Sequence, residues 1–425
     1  MKKFLVVMVV LAFVGMGTMA FAADVSVGGS LQIRSRDFNQ LDFDKDLHDN
    51  QIDTQSRIIM NINVKAGDDV KGKISLWNDF SDWGSNFNGF STDQNFGNGF
   101  GQSTAGLKAD TFGFREAWVS FNIPGIPINV TAGHQLLQLA NGWFARSMHF
   151  GSDAWVVANV TGGNTIAILD ATAQKGLVNA THDDIDAYII LDQYAIDDKN
   201  TVGLNVTDAH LTNANDLYNI GILYNGQASI VKWKLQADFQ TGQNKTNTTG
   251  GPQPKYKGDE VVLQGNVLLD PVTINILLGY GTGAKQGQTD VNQMITFLDI
   301  DPHYTFLYEY KITTAAGATH TGMNNTTVES VGAMWHALKS LDLGADVYFL
   351  QASEKTNVAL TGGGAGALAT NLGTEVDLHI NWKLYDNLSW NWDLGWFDPG
   401  AVYKDAAGKG TDSALGIQGI LAFNF

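Results

Sequence analysis

The residues best able to do chemistry are charged side chains spaced two or four apart on alternating segments: Lys232, Lys234 and Asp238, then Asp377 and His379, then Asp393. Arg34, Arg57, Lys73, Glu116 and Asp346 occupy equivalent polar positions elsewhere. Both signs of charge are present. Inside a pore, such side chains create electrostatic wells and barriers for ions. The same mixture also arises where Lys and Arg pair with Asp and Glu across strands merely to satisfy a polar interior.

Catalysis requires a nucleophile and a base within reach of one another. The chain has no cysteine, which removes thiol catalysis, disulfide staples, thiolate metal sites and C-x-x-C-H haem attachment together. No G-x-S-x-G elbow or H-E-x-x-H motif occurs, and the nine histidines are scattered. We therefore expect no enzyme, no cofactor and no metal centre. Asp42-Phe43-Asp44-Lys45-Asp46-Leu47-His48-Asp49 has the aspartate spacing that opens a calcium loop, but Leu47 replaces the required Gly and Asp53 stands where a Glu belongs. It reads as an acidic, solvated loop. Gly97-Asn98-Gly99-Phe100-Gly101 and Gly362-Gly363-Gly364 lack the strand, helix and Lys of a phosphate loop and read as loop.

The charges must be held by strands. Segments of roughly ten residues alternate apolar and polar over much of the chain, the period of strands whose faces meet different environments. Leu388, Trp390, Trp392, Leu394 and Trp396 share one face; Val376, Leu378, Ile380, Trp382 and Leu384 do so in the preceding segment. Between these two segments sits Tyr385-Asp386-Asn387. Other tight turns are expected at 66–69, 124–127, 162–163, 197–199, Asn225-Gly226, Asp270-Pro271 and Ser340, and long polar loops at 37–51, 81–109, 139–152, 241–257, 283–328, 354–370 and 399–412. Short and long connections that alternate suit a membrane barrel with tight periplasmic turns and extended extracellular loops. The segments amount to about eighteen strands, with sixteen the alternative. His134 falls on the apolar side of its segment, which calls for a bulge near Gly133 or an interfacial place.

Composition agrees: 47 Gly against 7 Pro, with 11 Trp, 12 Tyr and 22 Phe. Residues 1–22 read as a cleaved signal peptide, with Lys2 and Lys3, an apolar run from Phe4 to Val14, and Ala20-Phe21-Ala22. Losing those two lysines would take the formal charge from −17 to about −19, which disfavours nucleic acid as a partner. The apolar run is short for a membrane helix of ~20 residues. Residues 23–425 would form a single domain. Leu415, Ile417, Gly419, Leu421, Phe423 and Phe425 share one face of the last strand, and Phe423 and Phe425 resemble the signal read by the outer-membrane assembly machinery.

The stretch Arg115-Glu116-Ala117-Trp118-Val119-Ser120-Phe121, with Ile123-Pro124-Gly125-Ile126-Pro127, Val130-Thr131-Ala132-Gly133-His134-Gln135 and Ala140-Asn141-Gly142-Trp143-Phe144, resembles outer-membrane porins related to the alginate-export barrel family. It also resembles the porins of metal-reducing deltaproteobacteria. The resemblance implies a single-chain barrel of about this strand count, carrying polar solutes or polyanions through a charged lumen.

The expectation is therefore an all-β, antiparallel up-and-down transmembrane barrel in the outer membrane of a Gram-negative cell. It would pass small hydrophilic solutes through a water-filled channel narrowed by an inward loop, 81–109 or 139–152. One alternative is a scaffold or sheath for outer-membrane cytochromes, motivated by the resemblance. Another is a specific channel for an anionic polymer or carboxylate, in which Arg34, Arg57, Lys73, Lys232 and Lys234 form one basic track. Membrane lipid is an expected partner in every reading, and a homotrimer is the common porin assembly.

Overall fold

In the computed structural model the alternating segments become eighteen antiparallel strands. The structure describes residues 23–43, 50–82, 113–174, 185–211, 215–245, 253–285, 287–298, 304–315, 317, 321–358, 366–404 and 412–425. The expected signal segment 1–22, the glycine runs at 97–101 and 362–364, and most of the 81–109 loop lie outside these residues. The first strands are β1 (Ala23–Asn39), β2 (Asn50–Ala66), β3 (Val70–Asp82), β4 (Gly113–Asn122), β5 (Ile128–Gln138) and β6 (Arg146–Thr161). The next are β7 (Asn164–Gln174), β8 (Ile185–Ala195), β9 (Thr201–Leu211), β10 (Asn215–Ala228), β11 (Val231–Gln243) and β12 (Asp259–Leu269). The last are β13 (Val272–Gly281), β14 (Thr326–Leu338), β15 (Leu341–Thr356), β16 (Ala369–Tyr385), β17 (Leu388–Pro399) and β18 (Ala414–Asn424).

Every strand pairs with its neighbours in sequence, and β1 also pairs with β18, Leu31 opposite Phe423. The barrel is therefore closed. An open edge in hydrocarbon would leave N–H and C=O groups without partners, at several kcal/mol each. Connections 67–69, 123–127, 162–163, 196–200, 229–230, 270–271, 339–340 and 386–387 close one end. The opposite end carries the longer loops, including 244–258, 282–325 and 400–413. This is the expected alternation of turns and loops.

One turn is displaced. Asn225-Gly226, the strongest short hairpin signal in sequence, lies inside β10, and the chain reverses at Ser229-Ile230 with Ser229 at φ 52°. Both residues have other uses. Asn225 bonds Asn141 of the connection between β5 and β6 (Nδ2 to Oδ1, 2.9 Å), and a Cβ on residue 226 would clash with the Trp233 ring.

The outward face carries an apolar band that includes Ile168, Ile190, Leu204, Val206, Ile220 and Ile222, all exposed. Aromatic side chains border it. Tyr194, Tyr224, Trp335, Trp382 and Trp390 lie toward the tight turns, and Trp155, Tyr188, Tyr218, Phe349 and Trp396 toward the long loops. In water so much exposed apolar surface would be costly; against lipid, with aromatic rings at both interfaces, it is what a spanning barrel requires. His134 stays on this outer face, opposite Asp153 and one step along the ladder from Trp155. Its ring bonds the Asp153 carboxylate (2.9 Å) and the Phe150 carbonyl (2.8 Å), and Gly133 before it takes φ 126°.

Arg at Ile220, between the two aromatic borders, should destabilise the folded barrel by about 2–4 kcal/mol. Arg at lumen-facing Gln264 should cost far less. Denaturant unfolding in lipid vesicles measures the difference.

Candidate functional site

With the apolar band outside, the opposite face of each strand lines the lumen. Arg34, Arg57, Lys73, Glu116, Lys232, Lys234, Asp238, Asp346, Asp377, His379 and Asp393 all lie on that inner face. They do not form one set. Arg34, Arg57 and Lys73 are on β1, β2 and β3, whereas Lys232 and Lys234 are near the tight-turn end of β11, nine strands from β2 in the closed order. The single basic track required of a polymer channel is thus split between opposite walls.

On the β1–β4 wall, the Arg34 Nε donates to Gln55 Oε1 (3.1 Å) and its Nη1 to the Tyr310 hydroxyl (3.2 Å). Arg36 forks onto Asp53 through Nε and Nη2 (2.8 and 2.7 Å), and its Nη1 also donates to Tyr310 (3.3 Å). Asp53, the residue at the calcium-loop Glu position, is therefore committed to an arginine. Lys73 pairs with Glu116. Arg57 and Arg115 both lie over the Trp77 ring, at 5.5 and 5.8 Å, and Lys311 lies 4.5 Å from the Tyr310 ring centre. Burial alone would raise the Tyr310 phenol pKa, but the positive charges of Arg34, Lys311 and Arg36 hold it below its ordinary value.

Acidic residues line the adjoining β15–β17 arc and, farther round the ring, β11 and β12. His379 is bracketed by Asp346 (Nε2 to Oδ2, 3.1 Å) and Asp393 (Nδ1 to Oδ1, 2.8 Å). Asp238 faces Glu260 across β11 and β12. Glu375 and Asp377 have a different task. They accept the backbone N–H groups of Leu307 (2.5 Å), Tyr308 (2.8 Å) and Phe306 (3.0 Å), and so tie the 282–325 connection to the lumen wall. Asp377 is in consequence an anchor for a loop as well as a lining residue.

That connection is the largest inward element among the described residues; of the two loops expected to narrow the channel, 81–109 lies almost wholly outside them. Its residues Leu307, Tyr308, Ile312 and Met323 are buried with Phe38, Phe397, Val402 and Tyr403. The 139–145 segment does fold inward from the opposite side. Asn141 N–H donates to Gln236 (2.8 Å), and Trp143 meets Tyr304 at 5.9 Å between ring centres. Loops from opposite walls therefore touch inside the bore.

The inner face of β6–β10 also departs from the polar expectation. Ala154, Ala167, Leu169, Ala171, Ala187, Ile189, Ala209 and Leu217 are buried there beneath Leu139, Phe144, Met294 and Phe297. Small alanine side chains leave room for two loop segments, which pair through Ala145 and Phe297. Sequence reasoning missed Arg36, Glu260, Tyr310, Lys311 and Glu375. For Arg36 and Glu375 the two-residue spacing from Arg34 and Asp377 was a usable signal; for the loop residues none existed. Among the described residues no three His, Asp or Glu side chains are grouped to hold a metal ion.

No family model and no curated protein matches this chain. Its architecture is nonetheless that of solved barrels from Pseudomonas aeruginosa. OccK8 (OprE) is similar with a TM-score of 0.58 at 10% identity, over 95% of this chain and 98% of that one. The outer membrane protein OprD gives 0.53 at 13% identity, over 94% of each chain. OccK2 (OpdF), solved in complex with glucuronate, gives 0.56 at 10% identity, over 95% of this chain and 96% of that one. Likeness at such identities establishes the fold, a closed outer-membrane-type barrel.

Removing the Glu375 carboxylate tests the loop anchor. Two hydrogen bonds to a charged group, about 1.5–3 kcal/mol each, hold the backbone just before Lys311. Glu375→Ala should therefore speed tryptic cleavage after Lys311 by about tenfold or more, read by mass spectrometry. Cleavage at the wild-type rate would show that the carboxylate does not hold the loop.

Proposed function

We propose that this chain is an outer-membrane channel through which small hydrophilic solutes diffuse, and that it favours small carboxylates among them. The observation that carries the reading is a basic arc of wall set beside an acidic one in a bore narrowed by the chain's own loops. Arg34 and Arg57 on β1 and β2, with Lys311 beside them, adjoin the arc of wall that carries Asp346, Asp377 and Asp393 on β15, β16 and β17. A field that changes sign between neighbouring arcs orients a solute that has one anionic end and several hydroxyls. The carboxylate is drawn to the guanidinium side while its polar remainder meets acceptors on the other. The glucuronate held by OccK2 has that form. A polyanion fits less well, because the basic residues are divided and the chain is acidic overall.

The likeness of residues 115–144 to alginate-export-related porins belongs to the same reading, for these residues supply β4, β5 and the inward 139–145 segment. So does recognition of Phe423 and Phe425 by the assembly machinery: the two rings stack at 6.0 Å, and Phe425 pairs with Gly29 of β1. A sheath threaded by a cytochrome is disfavoured, since the inward loops occupy space that the partner would need.

Influx of glucuronate and of neutral glucose into proteoliposomes tests the proposal. Wild-type protein should admit both, with glucuronate favoured. Arg34→Glu combined with Arg57→Glu should lower glucuronate influx by about tenfold, equivalent to 1.4 kcal/mol, and leave glucose influx nearly unchanged. Equal loss of both solutes, or of neither, would contradict carboxylate preference.

A further inference from the structure

On the β9–β12 wall, four side chains surround a glycine. Asn205 and Asp238 lie on either side of Gly221 in the ladder, and Glu260 lies opposite Asp238. Asn219 is two residues from Gly221 on the same strand and donates Nδ2 to Asp238 Oδ1 at 2.8 Å. Asp238, Glu260 and Asn219 are fully buried, and Asn205 is 4% exposed. Neither oxygen of Glu260 receives an N–H or O–H donor, nor does the Oδ1 of Asn205 or of Asn219. Among the described residues no Lys or Arg forms an ion pair with either carboxylate. A Cβ on residue 221 would lie 2.6 Å from Asp238 Oδ1 and 2.8 Å from Asn205 Oδ1, with Asn205 Nδ2 nearer still, so it is the bare glycine that lets these two side chains close over β10.

Two enclosed carboxylates without a compensating cation are strongly unfavourable. Carboxylate and amide oxygens, with no sulfur or imidazole among them, are the donors that a hard divalent ion takes, and calcium tolerates their irregular geometry better than magnesium. We propose that Asp238, Glu260, Asn205 and Asn219 bind one calcium ion over Gly221.

The position gives the ion a structural role. Gln236, two residues before Asp238, accepts the Asn141 N–H of one inward segment (2.8 Å). Gln240, two residues after it, exchanges two hydrogen bonds with Ile295 of another (2.5 and 2.9 Å). Calcium at Asp238 would brace the strip of wall to which both segments are fastened. This inference does not depend on which solutes pass.

The test is equilibrium dialysis of the purified full-length protein, stripped with EDTA, against radioactive calcium, with thermal unfolding followed in parallel. One ion per chain should bind, half-saturating at about 0.1–1 mM as in extracellular calcium modules, and calcium should raise the Tm. Glu260→Gln should abolish both effects. Gly221→Ala, which keeps both carboxylates, should weaken binding about tenfold or more, and Asp153→Asn on the outer face should change neither. Three results would overturn the proposal. One is no calcium bound by wild-type protein at about 10 mM. Another is undiminished binding by Glu260→Gln, which would locate the ion elsewhere. The third is a Tm that responds to pH but not to calcium, which would show that the two carboxylates share a proton instead.

Discussion

In hydrocarbon no water is available to an unpaired backbone N–H or C=O group, and the rest of this structure follows from that constraint. It forces β1 onto β18, with Ser30 to Asn39 laddered against Asn424 to Leu415. Once the ring is closed, each strand must present one face to lipid and the other to the bore. The outer face is then limited to apolar residues bordered by aromatics, whereas the inner face is free to vary. That freedom is used unevenly around the ring: basic on β1–β3, small and apolar on β6–β10, acidic on β15–β17.

The same constraint governs the loops that enter the bore, because their own backbone groups need partners where bulk water is scarce. Side chains of the wall supply these. Glu375 and Asp377 take the N–H groups of 306–308, Gln236 takes that of Asn141, and Gln240 serves both polar groups of Ile295. Some lumen charges thus act on the chain's own backbone, while others, Arg34, Arg57 and Lys311 among them, are the ones the proposed function draws on. Treating every inward charge as a selectivity group would merge two different functions.

Strand alternation was legible in the sequence because each strand faces two unlike environments, and Trp382, Trp390 and Trp396 emerge on the outer face as their spacing implies. The tight turns at Asp270-Pro271 and 386–387 were legible for a local reason, the residues that reverse a chain. Local signals also misled: Asn225-Gly226 has the composition of a hairpin turn but serves a contact with Asn141, 84 residues away in sequence. The alanine-lined inner wall was obscure because alternation reports that two faces differ and not what covers each one. The anchoring of 306–308 by Glu375 and Asp377 spans nearly seventy positions, and no spacing in either segment announces it.

The central claim is that loops fastened to the inner wall set the width of a membrane-spanning bore. Single-channel recording in planar bilayers tests it most directly, comparing wild-type protein with a variant lacking residues 304–317. The account predicts discrete channels from both, with markedly larger conductance steps in the shortened variant. Identical conductance from two correctly folded barrels, or no channel from either, would contradict it.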